Sequence, residues 1–101
     1  MAVHFAKKLF ATVHRFLSNA TIEHNANQYK LLQISTKLQS VQSQISDFFR
    51  NGGKETDAQY RELYAYEQEL TMQKEGIEAE DMLTSANLDN YQKLLDNNAK
   101  A

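Results

Sequence analysis

The feature that most limits what this chain can fold into is where its helix breakers fall. None of the 101 residues is proline, and two of the three glycines stand side by side at Gly52-Gly53, near the midpoint. A chain without proline keeps every backbone donor and can sustain long helices. Paired glycines open the left-handed conformation that a helix uses to end. "DFFRNGGKET" (Asp47–Thr56) therefore reads as a reversal, with Asn51-Gly52-Gly53 ending one helix. Thr56 and Gln59 form a capping box for the next, with Asp57 in its first turn.

The flanking segments carry helical periodicity. Before the glycines, Leu31, Ile34, Leu38, Val41, Ile45 and Phe48 alternate three and four apart, the spacing of a coiled-coil seam. After them, Tyr60, Leu63, Leu70, Ile77, Leu88, Tyr91 and Leu95 hold one heptad register. Glu67, Lys74 and Asp81 occupy that same register, so the returning seam is half polar. Folding the chain between Gly52 and Gly53 brings together positions whose numbers sum to 105. "SNAT" (Ser18–Thr21) then lies opposite "TSAN" (Thr84–Asn87), two stretches of weak helix formers.

A third helix is expected over residues 2–17. Phe5, Leu9, Phe10, Val13 and Phe16 fall with their apolar neighbours in an arc of roughly 160°, opposite Lys7, Lys8, His14 and Arg15. An arc so wide suits two neighbouring elements. The expected fold is all-α. It is an antiparallel, coiled-coil-like helical hairpin (arms 22–50 and 56–100, turn 51–54, the second arm either continuous or broken at 84–87) with an N-terminal amphipathic helix. That helix either continues straight beside the tail or folds back into a three- or four-helix bundle. Charge favours folding back: residues 1–20 hold three basic residues and no acid, whereas residues 55–81 hold nine acids against Arg61 and Lys74.

The same reading removes most chemistry. Without cysteine there is no disulfide and no thiol nucleophile. His4, His14 and His24 are ten apart and do not share a helix face, so they read as surface histidines and no metal or other cofactor is expected. The acids Glu75, Glu78, Glu80 and Asp81 read as a solvated face, not as paired carboxylates for acid–base work. A net charge of −2 speaks against a nucleic-acid partner, and Tyr60, Tyr64 and Tyr66 read as packing or partner residues. No apolar run approaches the ~20 residues of a membrane span. Basic residues interrupt any secretory signal core at the N-terminus, although its acid-free amphipathic character also fits a mitochondrial presequence.

A small cysteine-free hairpin with a Gln/Ser-rich seam helix such as "TKLQSVQSQISDFF" (Thr36–Phe49) resembles, over roughly Ile22–Leu95, the needle, filament and chaperone proteins of bacterial type III secretion. That resemblance implies an α-helical protein without a catalytic site, acting by coiled-coil assembly. The hairpin substrates of type VII export share this length and a central turn, but "FFRNGGK" stands where they carry Trp-x-Gly. The expected function is thus non-catalytic: assembly with itself or another helical protein, cytoplasmic or exported without a signal peptide. The alternative is a membrane-surface adaptor anchored by residues 2–17.

Overall fold

A computed structural model describes the backbone of residues 2–100 and the side chains of residues 6–97. Two helices, α1 (Ala2–Arg50) and α2 (Ala58–Lys100), form an antiparallel hairpin. Chain contacts divide it into two compact units, Tyr29–Glu78 around the turn and Met1–Gln28 with Ala79–Ala101.

The reversal follows from the glycines. The Gly53 amide donates to the Phe48 carbonyl at 2.9 Å and the Gly52 amide to that of Phe49 at 3.0 Å. This crossed pair of bonds is a Schellman cap, and Gly52 takes the left-handed conformation it requires, with φ of +92°. Gly53 serves a different need, because a Cβ there would overlap the Phe48 ring. The start of α2 departs from the expected capping box. Asp57 is the cap: its carbonyl accepts from Arg61, and its carboxylate reaches back to the Lys54 amide at 2.9 Å. That bond closes the turn ahead of α2, and it leaves a carboxylate at the positive end of the helix dipole.

In the Tyr29–Glu78 unit, Ile34, Leu38, Val41 and Leu70 form the buried core, with Ile45, Leu63 and Ile77 packed against it. The half-buried Leu31 and Phe48 extend the α1 seam at either end. Glu67 and Lys74 are also half-buried on the α2 side. Long charged residues can lay aliphatic stems over an apolar seam and keep their heads in water. Polar residues in the α2 register therefore do not leave the α1 seam uncovered, contrary to what its half-polar sequence suggests.

The separate N-terminal helix and the turn at Ser18–Thr21 do not exist. α1 runs through them, and α2 likewise passes unbroken through Thr84–Asn87. Val13 and Ala20 are buried and Leu17 is half-buried, three- and four-residue steps that carry the α1 seam toward the N-terminus. The Phe16 ring packs on Tyr91 with centroids 5.8 Å apart, so this part of α1 lies beside the tail and is not folded back. Apolar burial decides the course, because exposed charge pairs are individually weak. The Thr21 hydroxyl is satisfied by the Leu17 carbonyl at 2.8 Å and needs no turn.

Candidate functional site

The sequence points to two sets of interaction residues, and they divide sharply by burial. Ile34, Leu38 and Val41 face inward, and Leu31, Ile45 and Phe48 are half-buried; this seam is the hairpin's own core. In the N-terminal arc Val13 is buried, while Leu9, Phe10 and Phe16 stay nearly half exposed. Among the described residues the arc meets one neighbour, the tail of α2, not two. The side chain of Phe5 lies outside the described residues.

Sequence reasoning missed a buried polar layer in the Met1–Gln28 and Ala79–Ala101 unit. His24 Nδ1 donates to both carboxylate oxygens of Asp81, at 2.9 and 3.1 Å. Asn27 Nδ2 adds a bond at 3.3 Å and Gln28 Nε2 another at 2.9 Å. Asn27 and Asp81 are buried, as is Thr84, whose hydroxyl donates to the Glu80 carbonyl at 3.2 Å. Burial pushes the Asp81 carboxyl up, but the bonds from His24, Asn27 and Gln28 and the His24 charge outweigh it, so the group sits below its ordinary value of 3.8. His24 is therefore not a surface histidine. Its signal was available: His24 and Asn27 extend the seam back from Leu31 in steps of four and three, and 24 and 81 sum to 105.

A histidine on a carboxylate is also two-thirds of a catalytic triad. Here both amides point their donors at the same carboxylate, which fixes one arrangement of the two helices in the manner of a polar coiled-coil layer. Every buried side-chain polar atom among the described residues has a partner. No group of three metal-ligating side chains converges among them, and no described helix is long and apolar enough to cross a membrane.

At the turn end, Phe49, Tyr60 and Tyr64 stack in succession, with centroids 5.1 and 5.9 Å apart. They line an open groove of about 390 Å³ together with Gln42, Ile45 and Glu67. Farther from the turn, large apolar side chains stand on the outer faces of both helices. Tyr29 and Leu32 on α1 are 63% and 65% exposed, and Met72 on α2 is 71% exposed. No protein family matches the chain, and neither a curated protein nor a solved structure is significantly similar to it.

Proposed function

We propose that this chain is a non-catalytic helical interaction protein that works through the outward faces of its two helices, as a structural or chaperone-like subunit of an assembly. One observation carries the reading: the hairpin satisfies its own seam, yet Tyr29, Leu32 and Met72 remain on the outside with most of their surface in water. Of these, Tyr29 and Leu32 stand one turn apart on α1 and form a contiguous apolar pair, and contiguous exposed apolar surface is where another protein docks. In this reading the His24–Asp81 pair sets register and performs no reaction. The resemblance of the hairpin over roughly Ile22–Leu95 to type III secretion subunits makes a bacterial secretion or surface apparatus the setting we propose.

A second reading has its own support. Lys7, Lys8 and Arg15 are exposed on the same stretch of α1 as Leu9, Phe10 and Phe16, a composition suited to an anionic membrane surface. Molar mass by sedimentation across a concentration series, with and without anionic vesicles, separates the two. The interaction reading expects mass to rise with concentration and the protein to stay off the vesicles. A monomer that floats with the vesicles, and stops doing so when Lys7, Lys8 and Arg15 are changed to Gln, overturns it in favour of the adaptor.

A further inference from the structure

We propose that the groove at the turn end of the hairpin is a binding site for an arginine side chain presented by a partner protein. The groove lies within the Tyr29–Glu78 unit, where Phe49, Tyr60 and Tyr64 stack. It is a surface apart from the Tyr29 and Leu32 pair, so it goes beyond the interaction reading and does not rest on it.

The hairpin core does not call for this aromatic wall. Near the turn, the seam is already filled by Ile45 and Leu63, which pack on the core, and by Phe48, which lies over Gly53. Phe49 and Tyr64 instead keep 39% and 48% of their surface in water, and Tyr60 is half-buried between them. Their rings are tilted by 47° and 31° to one another, so they form an angled wall along the groove and not a closed stack. An aromatic face carries negative charge density and attracts a cation.

Charge selects the same ligand. Glu67 lines the groove one turn beyond Tyr64 and two beyond Tyr60. It enters no ion pair among the described residues, and the Thr71 hydroxyl bonds its backbone carbonyl, not its carboxylate. The α1 wall is Gln42, Ile45, Ser46 and Phe49, which carries no charge. Cations on the neighbouring turns are engaged elsewhere. Arg50 pairs with Asp47 at 3.5 Å, Arg61 donates to the Thr56 carbonyl at 3.3 Å, and Lys74 pairs with Glu78 at 3.8 Å. The groove therefore offers a carboxylate beside aromatic faces and supplies no cation of its own.

Arginine fits that combination in each part. Its guanidinium is planar and stacks on aromatic rings, while its forked donors match a carboxylate. Its aliphatic stem suits the apolar floor at Ile45. The volume of about 390 Å³ lies in the range of sites that hold small ligands. Glu67 also speaks against a nucleic-acid strand stacking its bases on the same rings, because a carboxylate repels phosphate.

The test uses the full-length protein in NMR titrations with two blocked tripeptides, glycine–arginine–glycine and glycine–citrulline–glycine. Citrulline replaces the charged guanidinium by a neutral urea of nearly the same shape. The arginine peptide should shift the ring resonances of Phe49, Tyr60 and Tyr64, and the citrulline peptide should bind about fivefold more weakly or worse. Glu67→Gln, and Tyr64→Leu, which removes the ring and keeps apolar bulk, should each weaken the arginine peptide by about three- to fivefold. Thermal melts check that both variants remain folded, and the two peptides decide the matter on wild-type protein alone. Absent ring shifts, citrulline binding as tight as arginine, or unchanged binding in folded Glu67→Gln overturns the proposal. A stronger response to phosphocholine vesicles than to the peptide also overturns it, and assigns the groove to a lipid headgroup. None of these results touches the interaction reading through Tyr29 and Leu32. Conversely, wild-type protein that is monomeric at every concentration leaves the arginine site standing.

Discussion

At the scale of the residue, neighbouring side chains do unlike work. Gly52 and Gly53 are adjacent in sequence, but the first supplies a positive φ and the second clears space for Phe48. Gly52→Ala forces an L residue into the left-handed region and should cost about 1 kcal/mol, with the fold retained by circular dichroism. Gly53→Ala must displace an aromatic ring and should also disturb Phe48, seen as altered aromatic chemical shifts. Equal and purely energetic effects at both sites would contradict this division. Asp81 makes a pH prediction. Its folded-state carboxyl is held below its ordinary value of 3.8, so the stabilisation is complete above that value and is lost as pH falls toward the lower folded one. Asp81→Asn should be less stable at neutral pH and should lose less stability than wild type on acidification below about pH 4. Denaturant midpoints at a series of pH values check this, and parallel curves for the two proteins would refute it.

At the scale of the element, continuity of α1 is the decisive fact. Ser18, Asn19 and Thr21 look like a turn by propensity, yet propensity is a weak prior beside a seam that buries Val13 and Ala20 on either side. Asn19→Pro removes a helical hydrogen bond and should cost ~3 kcal/mol. The loss should appear as rapid amide exchange over residues 6–17, with the turn end unchanged. Exchange rates in that segment equal to wild type would show that α1 already breaks there in solution.

At the scale of the whole molecule, the two compact units differ in the chemistry of their interiors. Tyr29–Glu78 buries Ile34, Leu38, Val41 and Leu70, whereas the other unit buries Asn27, Asp81 and Thr84 beside Val13, Ala20 and Leu95. Aliphatic burial contributes more per residue than a satisfied polar layer, whose desolvation offsets much of its bonding. Native-state hydrogen exchange should therefore find the slowest amides around Val41 and Leu70. Leu70→Ala should destabilise the protein by roughly 2–5 kcal/mol, more than Asn27→Ala does. Slowest exchange around Asn27 and Asp81 would reverse the assignment of where stability resides.

Helix content and the reversal at Gly52-Gly53 were determined by local sequence. Proline's absence, heptad spacing and paired glycines act through the backbone of a few residues, and tertiary context has little power to overrule them. Phe48, Val41 and Leu70 were legible as seam for the same reason. The course of residues 2–17 was decided only by the tertiary structure. Their apolar arc fits either a folded-back bundle or a longer hairpin, and the difference lies in whether Val13, Leu17 and Phe16 find a better surface on Tyr91 and the tail than on the acidic arm. That comparison needs the partner surface in three dimensions. The polar layer belongs to the same class: His24, Asn27 and Gln28 are ordinary surface residues in a helical pattern until Asp81 arrives opposite them, and a buried carboxylate is tolerated only where such donors converge.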